Sequence, residues 1–269
     1  MHIYYLNIDK RQDRRDFMER QFVALGLDAT RISAATPDTL DPALVRRHCR
    51  PPSEGPSLLP RELACSVSHQ LAWKKMLADG HSSAVILEDD IFVSARLGTF
   101  SALASLLPHD IIRIETRNGV AKVSKAIAHV GDIGLHRFFS YEIGSSGYII
   151  SAECARRLLA DETYFSRAVD DALFDPRSPL FAKMDVVRPL PGLCIPAEYI
   201  LGFGLPGVQS SDIHASRLES LGKTTMKPSR WQRTYDYVYD RLLKVWMGWY
   251  KLADRYRLGG RQRYVRFEP

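Results

Sequence analysis

Ser83-Ala84-Val85-Ile86-Leu87 runs straight into Glu88-Asp89-Asp90. The apolar run is too short and too rich in β-branched residues for anything but a core strand. Three consecutive carboxylates at its end repel one another for no structural gain. A divalent cation resolves that conflict, because hard Mg²⁺ or Mn²⁺ prefers carboxylate oxygens and keeps open positions for phosphates. In open α/β sheets, ligands sit beyond the carboxyl ends of the strands, which is where this triplet falls. The plainer alternative is a solvated acidic turn, so the triplet needs neighbours.

Outward from that strand, short apolar runs alternate with helical patterns, which predicts an α/β domain with a mainly parallel, twisted sheet. Ile3 to Ile8 reads as a buried first strand, and Asp13 to Leu25 as a helix with Phe17, Met18, Phe22 and Leu25 inward. The Pro/Ser/Gly stretch from Pro51 to Pro60 reads as a mobile loop, and Arg61 to Asp79 as a helix stopped by Gly80. Asp110 to Ile114 and Ser146 to Ile150 read as further strands, and Ser151 to Ala160 as a helix capped by Ser151.

The chain has 269 residues, 45% hydrophobic and 25% charged, the profile of a folded globular protein rather than a disordered or membrane-spanning one. Cys49, Cys65, Cys154 and Cys194 lie far apart with no C-x-x-C pair, so neither a disulfide framework nor a zinc finger is expected. The N-terminal segment lacks the apolar core of a secretory signal, which predicts a cytoplasmic location. The net charge of +6 is unevenly placed: residues 214–269 carry 13 Lys+Arg against 5 Asp+Glu, leaving 24 against 26 in residues 1–213. This shift divides the chain into a catalytic body, 1–213, and a basic, aromatic tail, 214–269.

Around the triplet stand recognisable neighbours. Leu59-Pro60-Arg61-Glu62-Leu63-Ala64-Cys65-Ser66-Val67-Ser68-His69, with Trp73, precedes Glu88-Asp89-Asp90 by 19 residues counted from His69. Tyr5-Leu6-Asn7-Ile8-Asp9 with Asp13-Arg14-Arg15, Gly147-Tyr148-Ile149-Ile150-Ser151 with Ala155-Arg156-Arg157-Leu158, Val169-Asp170, and Gln209 through Ser211-Asp212-Ile213 follow in the same order. Together these stretches resemble glycosyltransferase family 25, the group that extends lipopolysaccharide or lipooligosaccharide cores, and its galactosyltransferases in particular. The resemblance covers residues 1–215. Arg61, where the family usually has Gly before the Glu, and Glu115 to Phe139, which matches no family stretch, depart from it.

The resemblance implies a GT-A-like fold, a UDP-sugar donor, a divalent cation (Mn²⁺ or Mg²⁺) and inversion at the anomeric carbon. The chemistry agrees: the departing nucleoside diphosphate needs its charge neutralised, and inversion needs a base within reach of the acceptor hydroxyl. Asp90 is the first choice for direct metal contact, with Glu88 on ribose or metal and Asp89 shaping the site. Asn7, Asp9, Arg14 and Arg15 follow the first strand, where the nucleotide should lie, although Arg14 and Arg15 also suit a solvated helix face. His69 suits either a diphosphate oxygen or substrate hydroxyl, or a satisfied core position. Asp170 and Asp171 are the base candidates, Asp170 through its match to the family motif, with Glu198 a weaker acid. His214 beside Asp212 is a further metal candidate. Cys65 beside His69 is not read as a nucleophile, because nothing orients the pair.

In the tail, Trp231, Tyr235, Val238, Leu242, Val245, Trp249, Leu252 and Tyr256 recur at spacings of four and three, one apolar stripe on a predicted helix. Basic flanks and interfacial aromatics suit an anionic membrane surface, which would make the protein peripheral on the inner face of the cytoplasmic membrane. Docking on the body and self-association into an oligomer are the other readings. A cut after Ser229 would spare every candidate catalytic residue. Two other functions use some of these features: a metal-dependent nucleotidyltransferase or phosphohydrolase, and a basic nucleic-acid-binding protein. The latter leaves the triplet unexplained and offers a body of charge −2, so no nucleic-acid partner is expected. The expected partners are a nucleotide-sugar donor and a lipid-linked or oligosaccharide acceptor.

Overall fold

A computed structural model of the protein describes residues 1–50, 57–201 and 260–269. The predicted stripe from Trp231 to Tyr256, His214, Gln209 to Ile213, and most of the Pro51–Pro60 loop lie outside the described residues.

Along the chain, β1 (His2–Asn7), α1 (Gln12–Leu25) and β2 (Ala29–Ser33) form the first β-α-β unit, followed by α2 (Pro42–His48), α3 (Pro60–Ala78) and β3 (Ser83–Glu88). Then come β4 (Ile91–Val93), α4 (Leu97–Ala104), β5 (Ile111–Arg113), β6 (Gly119–Val123), β7 (Ala128–Val130) and β8 (Ile133–His136). The order continues with β9 (Gly147–Ser151), α5 (Ala152–Ala160), α6 (Val169–Phe174), β10 (Val186–Leu190), β11 (Cys194–Pro196), α7 (Glu198–Leu201) and β12 (Arg261–Val265).

Eight strands make one sheet in the order β2-β1-β3-β9-β5-β10-β8-β7. β1 is parallel to β2 and β3, and β10 to β5. β9 runs against both β3 and β5, β8 runs against β10, and β7 runs against β8. Six strands therefore point one way and two the other, the mainly parallel α/β sheet expected of a GT-A-like fold. The continuous apolar runs are explained by helices on both faces. Tyr4, Leu6, Ala84, Ile86, Tyr148 and Ile150 pack with Trp73, Met76 and Leu158 on one side. Ile3, Tyr5, Val85, Leu87 and Ile149 pack with Phe17, Met18, Phe22 and Phe100 on the other.

Helix boundaries follow local chemistry. α3 begins one residue earlier than its periodicity suggests, because Pro60 sits in the first turn and the Glu62 carboxylate accepts from Leu59 N at 3.0 Å. Arg61 therefore does not disturb the turn: it occupies an ordinary position in that first turn. Gly80, at φ +75°, ends the following turn. Ser151 caps α5 through Cys154 N at 3.1 Å.

One sequence expectation is corrected. The last residues assigned to the helical tail are not helical: Arg261–Val265 is the strand β12, paired antiparallel with β6. Val265 is buried, its carbonyl accepts from Thr116 Oγ1 at 2.6 Å, and Phe267 N donates to Asn118 Oδ1 at 2.7 Å. The division at residue 214 thus does not extend to the C-terminus, which belongs to the body.

Candidate active site

β1, β3 and β5 end at the same edge of the sheet, since all three point one way. Because β9 is antiparallel to β3, with Leu87 opposite Gly147, the loop entering β9 arrives at that same edge. This brings Asn7, the triplet, Glu115 and the loop Gly144-Ser145-Ser146 together.

Each carboxylate of the triplet has a different setting. Asp89 is buried and accepts from Asn7 Nδ2 at 2.7 Å and Arg14 Nη1 at 2.9 Å. Burial pushes its carboxyl up, and Arg14 and Asn7 oppose that. Asp90 also faces Arg14, at 3.0 Å, and keeps 21% of its side chain accessible. Burial pushes Asp90 up to about 7, against the pull of Arg14 and with help from the charges of Glu88, Asp89 and Glu198. Glu88 accepts from Ser145 Oγ at 2.9 Å and stands 3.6 Å from His69 Nε2. Burial works against its charge, but His69 and Ser145 hold it below the usual carboxylate range.

Beneath Glu88 runs a buried polar chain. Trp73 Nε1 donates to the Tyr148 hydroxyl at 2.9 Å, and that hydroxyl lies 2.8 Å from His69 Nδ1. With the indole a donor only, the Tyr148 proton is free to serve Nδ1, leaving Nε2–H aimed at Glu88. His69 is fully buried beneath Glu88, and its Nε2 has no hydrogen-bond partner among the described residues.

The loop entering β9 is the hub. Ser145 reaches Glu88, Gly144 N donates to Asp170 Oδ2 at 3.2 Å, and Ser146 N donates to the buried Glu115 Oε2 at 2.9 Å. Asp170 is buried, while its neighbour Asp171 is half-buried and accepts from the Tyr141 hydroxyl. Glu115 also takes Arg117 Nε at 3.2 Å, and Arg117 Nη1 donates to the Tyr199 hydroxyl at 2.7 Å. α7 is tied to the triplet because Ala197 N donates to Asp90 O at 2.8 Å, which sets Glu198 beside Asp90.

Two predicted residues are not joined to this cluster. Arg15 pairs with Glu19 at 2.8 Å, one turn on along α1. Asp9 is exposed and takes Arg31 and Ser33 of β2. Glu115, Arg117, Gly144 and Ser145 were missed by sequence reading. For Glu115 and Arg117 the signal was available: they follow the Asp110–Ile114 run just as the triplet follows its own strand.

A hard cation fits this edge. Glu88, Asp89, Asp90 and Glu198 converge there against Arg14 and Arg117, and Asp90 is a partly accessible carboxyl that burial, with the charges of Glu88, Asp89 and Glu198, pushes up to about 7. A second group, Cys65, His69 and Glu88, has donor atoms within 4.8 Å of one another among the described residues. Burial and the carboxylates push the Cys65 thiol well up, which makes it a poor ligand and a poor nucleophile.

The family model described as glycosyltransferase family 25 (LPS biosynthesis protein) matches residues 1–173. The chain belongs to glycosyltransferase family 25. Among curated relatives, a glycosyltransferase 25 family member of Drosophila pseudoobscura pseudoobscura is 27% identical over 171 residues, 59% of this chain and 27% of that protein. Procollagen galactosyltransferase 1-B of Xenopus laevis is 27% identical over 60% of this chain and 28% of its own length. Lipooligosaccharide biosynthesis protein lic2B of Haemophilus influenzae is 25% identical over 60% of this chain and 63% of its own length. The chain thus matches about a quarter of the insect and frog proteins. A solved glycosyltransferase involved in the glycosylation of the major capsid of PBCV-1 superposes on 83% of this chain and 98% of its own, at 12% identity and a TM-score of 0.42, too loose to carry any residue across.

Proposed function

We propose that this family 25 chain is an inverting, metal-dependent hexosyltransferase that moves a sugar, galactose in our reading, from a UDP-sugar to a glycan acceptor of the lipopolysaccharide or lipooligosaccharide type. The observation that carries the proposal is Asp90, a partly accessible carboxyl at the end of β3, beside Glu88 and Arg14, that burial pushes up to about 7. The names of the frog and Haemophilus relatives support galactose and a lipooligosaccharide acceptor.

Asp90 and Glu88 would hold Mn²⁺ or Mg²⁺, with His214 as a further ligand, and the bound ion supplies charge neutralisation for the departing UDP. Asn7 and Arg14 clamp Asp89, which fixes the turn that presents Asp90. His69 and Ser145 keep Glu88 ionised and oriented. On α6, Asp170, with Asp171 as its alternate, takes the proton of the acceptor hydroxyl. The oxygen then bonds to the anomeric carbon on the face opposite UDP, and the electron pair of the broken C–O bond leaves with UDP. The apolar stripe from Trp231 to Tyr256, read from the sequence with its basic flanks, supports a peripheral position on the inner, anionic face of the cytoplasmic membrane. Co-sedimentation with phosphatidylglycerol vesicles that weakens with salt is its check.

The test of the transferase reading is Asp90→Asn. This variant should keep its circular dichroism but lose transfer and Mn²⁺-dependent UDP binding in calorimetry. Full activity in that variant, or in EDTA, would remove the metal-dependent mechanism.

A further inference from the structure

We propose that the rim of the site carries a pyranose-binding platform, made of the paired side chains Tyr199–Arg117 and Tyr141–Arg177, that seats the acceptor sugar. The proposal rests on the transferase reading for its role, but the geometry stands separately. Three arginine–aromatic contacts occur among the described residues. Arg113 over Phe174, at 4.9 Å, is buried in the core. Arg117 over Tyr199, at 5.1 Å, and Arg177 over Tyr141, at 5.4 Å, are not: these tyrosines are 41% and 37% exposed.

Both pairs are held from behind. Arg117 is pinned by the buried Glu115, and Arg177 by Asp175, which is 2% exposed, at 2.9 Å. The Tyr199 hydroxyl accepts from Arg117, and the Tyr141 hydroxyl donates to Asp171. Each ring is therefore fixed at its hydroxyl and against a guanidinium, while much of its surface faces solvent. An aromatic surface ordered in advance binds at a lower entropic cost than a mobile one.

The chemistry of the rims selects the ligand. An aromatic face is electron-rich and attracts the C–H face of a pyranose, while the charged groups at its edge suit the ring hydroxyls. A purely apolar ligand would desolvate Asp171 and both guanidiniums without compensation. A polyanion would find each arginine already paired with a carboxylate. Placement agrees. Tyr199 follows Glu198, beside Asp90, and Tyr141 is bonded to Asp171, beside Asp170. Gly144 links the two, since its N–H serves Asp170 and a Cβ there would lie 2.5 Å from Arg117 Nη2.

The test is saturation-transfer NMR on the full chain with lactose, methyl β-galactopyranoside and methyl β-glucopyranoside, with UDP–Mn²⁺ binding measured in parallel. Wild-type protein should transfer saturation to at least one of these sugars. Tyr199→Ala and Tyr141→Ala should each weaken that sugar about 5- to 10-fold, and Tyr199→Phe and Tyr141→Phe should stay within about 2-fold of wild type. All four should bind UDP–Mn²⁺ as wild type does. No transfer to any of the three sugars, unchanged binding in both Ala variants, or equal loss of sugar and UDP binding would overturn the platform. Sugar binding that depends on the rings in a protein that binds no UDP would sustain the platform and defeat the transferase reading.

Discussion

Gly144 is the position where a single methyl group should do most damage to the site. Its φ of +103° lies in a region that residues with a side chain avoid, which costs about 1–3 kcal/mol on its own. A Cβ there would also lie 2.5 Å from Arg117 Nη2, closer still to Glu115 Oε1, and 3.0 Å from Glu115 Cδ. Glu115 cannot swing away cheaply, because it is fully buried and holds Ser146 N and Arg117. Overpacking of that kind adds about 1–3 kcal/mol, so Gly144→Ala should cost roughly 2–6 kcal/mol. Gly26→Ala is the control: its φ is +62° with nothing within 4 Å of the added carbon, so only the left-handed backbone cost of about 1–2 kcal/mol applies. Urea midpoints of the two variants, read with a common slope, give the difference. The loop also carries Gly144 N to Asp170, Ser145 to Glu88 and Ser146 to Glu115, so UDP–Mn²⁺ affinity should fall in Gly144→Ala alone. Equal midpoints for the two variants, or wild-type UDP–Mn²⁺ affinity in Gly144→Ala, would refute the view that this loop aligns the carboxylates.

Other expectations follow from the same contacts. Asp90 is raised from an unfolded value near 3.8 to about 7, so its protonated form stabilises the fold fully below about pH 4, and that contribution is lost as pH rises through 7. Mn²⁺ should accordingly raise the melting temperature at pH 8 and have little effect at pH 5, and Asp90→Asn should abolish the difference in a thermal-shift assay. Asp170→Asn should lower the transfer rate by roughly 10² to 10⁴ with UDP–Mn²⁺ affinity unchanged, as rapid-quench kinetics and calorimetry would show. Loss of donor binding would make Asp170 a donor ligand instead. Deleting residues 260–269 should lower the melting temperature by about 6–12 °C, since it exposes the partners of Val265 and removes several hydrogen bonds, a loss of about 3 kcal/mol. An unchanged melt would show that β12 is dispensable, and the same loss is expected of any cut after Ser229.

What could be read ahead of the structure was what periodicity and composition encode locally. Ser83 to Leu87 is a strand because its β-branched run is buried on both faces, and the triplet must lie at its end, so the sheet edge that holds the site was legible. Gly80, Pro60 and Ser151 mark helix ends through backbone chemistry that acts within one turn. Side-chain partners were not legible in this way. Arg14 and Arg15 are adjacent and alike, yet α1 turns one toward Asp89 and the other toward Glu19. The sequence could name both but not choose between them, because the choice depends on the rotation of α1 against the sheet.

The same limit explains the C-terminus. A basic, aromatic tail reads as one compositional unit, and composition says nothing of which residues find a partner far earlier in the chain, as Val265 does at Gly119 and Thr116. Arg261-Gln262-Arg263-Tyr264-Val265 contains a single aliphatic residue, and that residue is the one β12 buries. Most attachments of this segment use its backbone groups, such as the Val265 carbonyl to Thr116 Oγ1 and the Phe267 amide to Asn118, beside the ion pair of Glu268 with Arg96. Backbone pairing of this kind leaves almost no mark on residue type, so an exposed strand on an edge is the element that sequence reading loses first. Its consequence is local to the site. Val265 of β12 holds Thr116 and Phe267, just beyond it, holds Asn118, which together flank Arg117, so the segment that departs from the family pattern is braced by residues 260–269 within one residue of the proposed sugar platform.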